Sequence, residues 1–288
     1  MPELPEVETV VSELNKVLAN KKIKAVKVLT PKTVDFFVAK FQGQLKNKTI
    51  KKVYRRAKMP IISLSGGLFV AGHLKMTGQF LYQSKNKKLT GGGHPEDAYT
   101  KNIPNKHTRV IFDLADGSNL YFNDIRKFGW LKLFTKKELE NYLEKMHYGP
   151  EPLTKDFTLE YFIEKLINRN VPIKTLLLDQ KLVVGIGNIY AAEILFRAKV
   201  KPTKKAKNIT KAEAQKIYQS TIFILKQAIK YKGTTSDNFA DIFGKSGNYI
   251  KKLKVYGRGD QKCFTCKNNL KKITQGQRST VYCPVCQK

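Results

Sequence analysis

The sequence predicts an α+β protein in which an N-terminal helix and a strand-rich domain precede a helical domain and a short cysteine-bearing hairpin. Apolar residues between positions 3 and 19 recur every three or four residues, which is the helical period. Residues 23–134 instead contain short β-forming runs separated by turns, and the helical period returns after residue 152. A chain of 288 residues is long enough for two such domains.

The first helix is expected over residues 3–19, where Pro5 is acceptable because it lies in the first turn. The strands that follow are short and closely spaced, so they favour a sandwich or a barrel over a doubly wound sheet. Asp116-Gly117 is a hairpin signal, and the polar segment Ser84–Lys106 is predicted to be a long mobile loop. The predicted strands are Ile23–Val28, Ile61–Leu64, Leu68–Leu74, Gln79–Tyr82, Val110–Leu114 and Leu120–Phe122.

The rest of the chain is predicted to be mainly helical. A helix near Lys136–Met146 is followed by Tyr148–Pro152, a Gly/Pro segment that we interpret as the interdomain hinge. The expected divisions are a domain at 1–135, a linker helix and hinge at 136–152, a helical domain at 153–250 and a terminal segment at 251–288. The later helices are predicted at Leu159–Ile167, Ile173–Leu178, Ile189–Ala198 and Lys211–Ile229.

A glycine-containing turn precedes the third of these helices. Gly185 and Gly187 lead to Asn188, a residue type that favours the N-cap position. The free backbone N–H groups at such a helix start can hold a phosphate. An ordinary corner between two helices is an equally good interpretation of this short pattern.

The charge balance predicts a polyanionic partner. The chain has 54 Lys and Arg against 23 Asp and Glu, a net charge of +31. Nucleic acid is the first candidate, and an anionic membrane surface is disfavoured because no strongly basic amphipathic helix is present. The alternative is a lysine-rich composition without a specific role. No run approaches the ~18 apolar residues of a membrane span, and the acidic, proline-bearing start is unlike a secretory signal, so a cytoplasmic location is expected.

The four cysteines predict one structural zinc ion. They occur as C-x2-C-x16-C-x2-C, a spacing that brings two thiolate pairs together from two tight turns. The alternative of two disulfides fits a small secreted module better than this chain. Between the pairs, β-formers flank a glycine-centred turn, and Arg278 lies close to the tip of this predicted hairpin. That arginine could reach into a groove, clamp a phosphate or remain solvated. The zinc ligands are Cys263, Cys266, Cys283 and Cys286.

Seven further motifs start at Met1-Pro2-Glu3-Leu4-Pro5, Arg56-Ala57-Lys58, His73-Leu74-Lys75, Asp124-Ile125-Arg126, Gly149-Pro150-Glu151, Gly185-Ile186-Gly187 and Gln277-Arg278. Together with the cysteines, they resemble one family along the whole chain, from residue 1 to residue 288. The chain closely resembles the bacterial formamidopyrimidine-DNA glycosylases, and Leu4 favours this branch over the related endonuclease-eight branch, which typically has glycine there. The resemblance implies a β-sandwich with an N-terminal helix, a helix–two-turns–helix domain and a zinc-ribbon hairpin.

The resemblance implies base excision followed by strand cleavage. Once Met1 is removed, the secondary amine of Pro2 would attack C1′ of a damaged nucleoside and form a Schiff base. Glu3 would protonate the sugar ring oxygen, Lys58 would act in β-elimination and Arg278 in δ-elimination. A guanidinium is a poor proton donor, so we interpret Arg278 mainly as stabilising leaving-group charge. A helix start should lower the pKa of the terminal amine and the nearby glutamates should raise it, which leaves the sign of the shift open.

The resemblance also implies DNA contacts, with double-stranded DNA that carries oxidised bases or abasic sites as the partner of a monomeric, nucleoid-associated enzyme. Met76, Arg126 and Phe128 would fill the space left by an extruded base, although core packing is the alternative for Met76 and Phe128. The other implied residues are Glu6, which would fix the N-terminus, and the DNA contacts His73, His107, Asn170 and Asn188.

Two departures from the family pattern concern DNA contacts. Asn170 stands where many members have a lysine, so Arg169 or Lys174 could take over its phosphate contact. The damaged-base loop of the family often starts with Gly-Gly-Thr-Thr, whereas this chain has Lys232 before Gly233. Near the end of the loop, at Gly244–Tyr249, a serine replaces the proline of the family pattern and an asparagine is inserted. Lesion preference is therefore the least secure implication. The alternatives are a pyrimidine-preferring relative and a non-catalytic zinc-ribbon protein that binds nucleic acid.

Overall fold

The computed structural model describes residues 1–34, 37–86, 89–91, 103–234 and 247–288, with only the backbone described at 89–91. These residues form two compact units, Met1–Lys145 with Tyr231–Ile250, and Met146–Lys230 with Lys251–Lys288. The predicted α+β class is confirmed. In the described part of the chain, no helix has the length and apolarity needed to cross a membrane.

The first unit begins with helix α1, Leu4–Leu18, whose start is fixed by a capping box. The Glu3 carboxylate accepts from the backbone N–H of Glu6, and Glu6 Oε2 accepts from the backbone N–H of Glu3 at 2.9 Å. This exchange satisfies two N–H groups that a helix start would otherwise leave unpaired. The apolar positions at helical spacing are fully buried, which confirms the periodicity; they include Leu4, Val7, Leu14 and Leu18.

Two antiparallel sheets form the body of this unit. Their inner faces share one hydrophobic core, which includes Val53 and Val70 from one sheet and Phe112 and Phe122 from the other. The sequence left a sandwich or a barrel open, and the two separate sheets make it a sandwich. One sheet has the order β1-β7-β8-β5-β6 and the other β2-β3-β4-β9. The strands are β1 Ile23–Val28, β2 Ile50–Arg56, β3 Met59–Leu64, β4 Leu68–His73, β5 Gly78–Gln83, β6 Leu89–Gly91, β7 Thr108–Leu114, β8 Asn119–Asp124 and β9 Trp130–Thr135.

Two elements of this unit differ from the sequence prediction. Helix α2, Val38–Leu45, was not predicted because a single buried pair, Phe41 and Leu45, is too short a pattern to separate it from neighbouring strands. Within the predicted loop Ser84–Lys106, the chain forms strand β6, which pairs with β5. Residues 87–88 and 92–102 of that predicted loop lie outside the described residues.

The second unit is helical and ends in a two-stranded hairpin. Every predicted helix is confirmed to within two residues at each end. The remaining helices are α3 Lys136–Lys145, which belongs to the first unit, and α4 Leu159–Leu166, α5 Ile173–Leu177, α6 Asn188–Ala198 and α7 Lys211–Lys230. Short 3₁₀ helices lie at Pro31–Thr33, Ala206–Asn208 and Tyr249–Lys252, and the hairpin strands are β10 Lys271–Gln275 and β11 Arg278–Tyr282.

A buried carboxylate joins helix α6 to the chain that enters the hairpin segment. Glu193 is 2% exposed, and its two oxygens accept hydrogen bonds from the backbone N–H groups of Lys254, Val255 and Tyr256, each at 2.9 Å. Burial raises the pKa of this carboxyl group and the three N–H donors oppose that shift. Because buried N–H groups need acceptors, this single side chain fixes the path of the backbone before the first cysteine.

We predict that Gly149→Ala lowers the free energy of unfolding by at least about 2 kcal/mol, because no side-chain movement can relieve a backbone clash. An added Cβ would lie 2.4 Å from the carbonyl oxygen of Leu182. The matched control is Gly43→Ala in α2, where no atom lies within 4 Å of the added Cβ. Alanine stabilises a helix relative to glycine, so this control should unfold at an equal or higher urea concentration. Equal urea midpoints for the two variants would contradict the close packing at Gly149.

Candidate active site and nucleic-acid interface

The N-terminus of the chain lies at the start of α1, in partly buried surroundings. Pro2 is buried and Glu3 is only 3% exposed, whereas the Met1 side chain is half exposed. Burial lowers the pKa of the Met1 amine; the charges of Glu3 and Glu6 oppose this shift and the charge of Lys58 adds to it. The sequence left open whether the pKa of the terminal amine is raised or lowered. For the amine of Met1 the pKa is lowered, which favours the free amine.

Glu6 connects the start of α1 to a segment more than two hundred residues away. Its Oε1 accepts hydrogen bonds from the Thr234 backbone N–H at 2.8 Å and the Thr234 hydroxyl at 3.1 Å. Gly233 has φ +79°, and a Cβ there would lie 2.6 Å from the same carboxylate oxygen. Two turns further along α1, Glu13 Oε1 accepts from Lys232 Nζ at 2.7 Å. The sequence placed Glu6 at the N-terminus but gave no sign of its contact with Gly233-Thr234.

The segment after Thr234 is the predicted damaged-base loop, and residues 235–246 lie outside the described residues. Its two ends are described. Thr234 and Asn248 form an isolated antiparallel bridge, and Tyr249 N–H donates to the Gly233 carbonyl at 3.1 Å. Gly247 is packed so tightly that a Cβ would lie 2.3 Å from the same carbonyl. The two ends of the loop are thus joined beside Glu6.

Lys58 and His73 lie in the electrostatic neighbourhood of the N-terminus. Lys58 follows Ala57, whose φ of +55° makes the tight turn between β2 and β3, and it is 8% exposed. Its charge acts on both the Met1 amine and His73. The structure therefore brings Pro2, Glu3, Lys58 and His73 into one region of the first unit.

His73 is held as a neutral imidazole with a defined tautomer. Its Nδ1 accepts from the backbone N–H of Lys75 at 2.9 Å, so Nε2 carries the remaining proton. Burial, assisted by the charges of Lys75 and Lys58, lowers the pKa of His73 to about 4. A neutral donor of this kind can hydrogen-bond a phosphate oxygen without gaining a proton.

Met76, Arg126 and Phe128 form an exposed cluster on two neighbouring loops. Met76 is 47% and Phe128 57% exposed, so core packing does not account for either. The Arg126 guanidinium lies 5.1 Å from the centre of the Phe128 ring, and its Nη1 is 2.9 Å from Met76 Sδ. Three large side chains of different chemistry are thus grouped at the surface, which is the arrangement needed to enter a base stack.

Asp124 holds both of these loops and was not singled out by the sequence. It is 1% exposed, and its carboxylate accepts from Gly129 N–H at 2.6 Å, from Arg126 N–H at 3.2 Å and from the Thr77 hydroxyl. Its own backbone N–H donates to the carbonyl of His107 at 2.9 Å. His107, which is partly exposed, therefore lies against the same anchor. Asp124 is the first residue of the Asp124-Ile125-Arg126 motif, but no local sequence pattern marks it as the residue that holds the two loops.

In the second unit, the structure corrects two expectations: that Lys174 could contact a phosphate, and that Asn188 is a helix N-cap. Lys174 is 1% exposed, so it cannot take over a phosphate contact; its Nζ instead donates to Asn188 Oδ1 and Thr280 Oγ1, each at 2.7 Å. Asn188 is not the N-cap of α6, since that position is Gly187. Its amide nitrogen donates to the carbonyl of Ser279 at 3.0 Å, which ties the helix start to strand β11. Asn170 lies exposed in the turn before α5.

Arg278 begins strand β11 next to the hairpin turn and is exposed. Gly276 and Gln277 have φ of +54° and +59°, as a two-residue type I′ turn requires. On the other strand, Gln275 Nε2 donates to the carbonyl of Pro202 at 3.1 Å. The turn that carries Arg278 is therefore held from both strands, by Gln275 on β10 and by the Lys174–Asn188 pair on β11.

The four cysteines are arranged for one tetrahedral metal ion. Their sulfur atoms all lie within 4.8 Å of one another, with Cys263–Cys286 at 4.0 Å and Cys266–Cys283 at 3.4 Å. Four thiolates at the Zn–S distance of about 2.3 Å place their sulfurs about 3.8 Å apart, so the residues fit zinc. The site supplies four protein ligands and no open position, which makes the zinc structural.

The comparisons with known proteins decide the family. The family model described as formamidopyrimidine-DNA glycosylase N-terminal domain matches residues 1–131, and the model for the H2TH domain of the same enzymes matches residues 148–240. A model described as a zinc finger found in FPG and IleRS matches residues 260–288.

The chain belongs to the formamidopyrimidine-DNA glycosylase family. It is 39% identical over 289 residues to the formamidopyrimidine-DNA glycosylase of Streptococcus mutans, with all of both chains covered. Among solved structures, it is similar to Lactococcus lactis Fpg in complex with DNA that contains an abasic site, at 32% identity, a TM-score of 0.88 and 99% coverage of each chain. A complex of the same protein with Fapy-dG DNA matches at 33% identity and a TM-score of 0.87, with 99% of this chain and 100% of that chain covered.

We predict that Asp124→Asn lowers the free energy of unfolding by about 2 kcal/mol, since an amide cannot replace both acceptor oxygens and leaves a buried N–H unpaired. Amide hydrogen exchange at residues 125–129 should become faster. The matched control is Asp113→Asn, which removes a carboxylate whose 3.0 Å ion pair with Lys27 is at the surface. Unchanged exchange at 125–129 in the Asp124 variant would contradict its role as the anchor.

A second prediction concerns pH. Because the pKa of His73 is about 4 in the folded chain, against 6.5 for an unperturbed imidazole, the unfolded state binds more protons between these values. His73 therefore leaves stability unchanged above pH 6.5 and reduces it as pH falls toward 4. His73→Gln should remove that part of the acid destabilisation, whereas His147→Asn at an exposed position should not. Urea unfolding at several pH values measures this; identical acid sensitivity in wild type and His73→Gln would contradict it.

Proposed function

We propose that the chain is a bifunctional DNA glycosylase and abasic-site lyase that removes oxidised purines, namely formamidopyrimidines and 8-oxoguanine, from double-stranded DNA. The observation that carries the proposal is the buried Pro2-Glu3 start of α1, where a capping box fixes the terminal residues and burial lowers the pKa of the Met1 amine. An amine that is fixed in place and loses its proton more readily is what nucleophilic attack requires.

The reaction starts when Met1 has been removed and the Pro2 nitrogen attacks C1′ of the damaged nucleoside. The bond to the base breaks with its electron pair on the base, which takes up the proton lost by the attacking nitrogen, and Glu3 protonates the ring oxygen as the sugar opens to an iminium. The resulting iminium draws electrons from C2′, so loss of a C2′ proton expels the 3′ phosphate. A second elimination expels the 5′ phosphate, and hydrolysis of the iminium releases the free amine.

The neighbouring cations act on the phosphates in this scheme. Lys58 takes part in the first elimination, and its low exposure of 8% supports this role, because a charge acts more strongly on a leaving phosphate away from water. His73 donates its Nε2 proton to a neighbouring phosphate, and His107 contacts the backbone beside the Asp124 loops. Glu6 fixes the N-terminus through its bond to the Glu3 N–H.

Met76, Arg126 and Phe128 fill the duplex once the damaged nucleotide has left the stack. Their exposure and mutual contact support this role, and Arg126 can pair with the orphaned base, which is cytosine opposite oxidised guanine. Extrusion of a base costs a few kcal/mol, which inserted side chains partly offset.

The second unit supplies phosphate contacts and the final elimination. Asn188, at the first position of α6, binds a phosphate, and Arg278 stabilises the leaving group in δ-elimination. When bound, the zinc holds the hairpin that presents Arg278. Asn170 is a weaker candidate contact, because an amide replaces the lysine of many relatives. Monomeric action, association with the nucleoid and the functional divisions at 135, 152 and 250 belong to the same proposal.

The alternatives are less well supported. A non-catalytic zinc-ribbon protein would not need an amine with a lowered pKa at a buried helix start. A pyrimidine-preferring enzyme is disfavoured because the curated relatives are named formamidopyrimidine-DNA glycosylases. The relevant loop residues, including Thr235, Gly244 and Ser246, lie outside the described residues.

We expect Pro2→Gly to lower the rate of lesion cleavage at least about a hundredfold, because a primary amine on a flexible residue is a poorly positioned nucleophile. Glu3→Gln should lower base excision while duplex binding stays intact. Single-turnover cleavage of duplexes that carry 8-oxoguanine, a formamidopyrimidine or an oxidised pyrimidine, each opposite several bases, measures both effects and the lesion class. Faster cleavage of the pyrimidine lesion in every context would favour the pyrimidine-preferring alternative, and no cleavage with tight binding would favour the binding protein.

A further inference from the structure

A dense group of lysines lies far from the proposed active site. Residues 21–52 contain ten lysines and a single acidic residue, Asp35, and none of these lysines belongs to a motif that the proposed reaction uses. The structure brings the two ends of this segment together, because Lys22 and Thr49 form an antiparallel bridge and Ile23 N–H donates to the Lys48 carbonyl at 2.8 Å. Lysines from both ends therefore share one surface.

We name this surface the distal lysine edge. Five of its six side chains are exposed and Lys48 is half-buried; none has a carboxylate within ion-pair distance in the described part of the chain. Two acidic residues in or just after β7, the strand that pairs with β1, are already paired, Asp116 with Lys21 and Asp113 with Lys27. The edge consists of Lys22, Lys24, Lys46, Lys48, Lys51 and Lys52.

The edge and the proposed active site lie at opposite ends of the same two elements. Helix α1 runs from Leu4, directly after Pro2-Glu3, to Leu18, a length of about 21 Å at 1.5 Å per residue, and Lys22 follows its C-terminal end. Strand β2 likewise runs from Lys51 and Lys52 toward Lys58. A duplex held at the N-terminal end of α1 therefore meets a different surface from one held at the lysine edge.

Protection of exposed strand edges does not explain so many charges. β1 and β2 are edge strands of their sheets, and lysine commonly protects such edges, but Lys22, Lys46 and Lys48 lie outside both strands. Six mutually repelling ammonium groups without carboxylate partners destabilise the free protein and are stabilised by a polyanion. We infer that the distal lysine edge binds the phosphate backbone of a second DNA segment, so that one protein molecule can contact two duplexes during its search for lesions.

The test uses the full chain and two variants that each lose four positive charges. The edge variant carries Lys22→Gln, Lys24→Gln, Lys51→Gln and Lys52→Gln, all at exposed positions, and the control carries Lys→Gln at the four exposed positions Lys211, Lys216, Lys226 and Lys230 of α7. A short duplex with an abasic-site analogue is immobilised and saturated with protein, and capture of a labelled, lesion-free second duplex is measured against salt.

We expect the edge variant to capture at least about fivefold less second duplex than wild type or control. Its log–log salt slope should be smaller by about 0.9 for each phosphate that the edge no longer neutralises. Single-turnover cleavage of a short lesion duplex should stay equal in all three proteins, which separates this inference from the proposed reaction.

Three outcomes would overturn the inference. The first is equal capture by the edge and control variants. Equal capture together with aggregation of the edge variant alone would show that the lysines protect the strand edges. Edge-dependent binding to anionic vesicles, with second-duplex capture unchanged, would favour a membrane surface instead.

Discussion

The carboxylate of Glu6 is the contact on which the arrangement of the N-terminus depends. One oxygen accepts the backbone N–H of Glu3 and the other accepts the N–H and hydroxyl of Thr234. A chain terminus is ordinarily mobile, whereas a nucleophile has to stay within a fraction of an ångström of its position. The capping box provides that restraint by making the terminal residues part of a buried helix start. Because Gly233 has no Cβ, the base of the damaged-base loop can approach the same carboxylate.

The same principle recurs at the other side chains that we propose to contact DNA. A buried polar group supports each of them: Asp124 holds the loops of the exposed Met76 and Arg126, and Lys174 orients the partly exposed Asn188. A buried charge or amide is stable only when its hydrogen bonds are satisfied, so these supports allow few alternative geometries. In the proposed complex, these residues would therefore meet DNA with little loss of conformational freedom, which would increase affinity.

The sequence revealed the parts of this protein that depend on local pattern. Helical spacing located the helices from α3 to α7, and the cysteine spacing located the zinc site. Local pattern did not reveal contacts between residues far apart in the chain. Glu6 and Thr234 are 228 positions apart, and Lys174 and Thr280 are 106 apart, so neither pair leaves a periodic signal. Asn188 was assigned as an N-cap because its type favours that position, but its side chain forms long-range bonds to Lys174 and Ser279 instead. The roles of the exposed residues came from resemblance to the family, and the structure contributes their supports.

The central claim is that the amine of Pro2, freed by removal of Met1, forms the covalent bond to DNA. Mass spectrometry of the N-terminal peptide, after borohydride reduction of the enzyme with lesion DNA, tests it most directly. We expect a peptide that begins at Pro2 and carries the reduced sugar remnant on the Pro2 nitrogen. A remnant on Lys58 or any other side chain, or a trapped peptide that still contains Met1, would contradict the account.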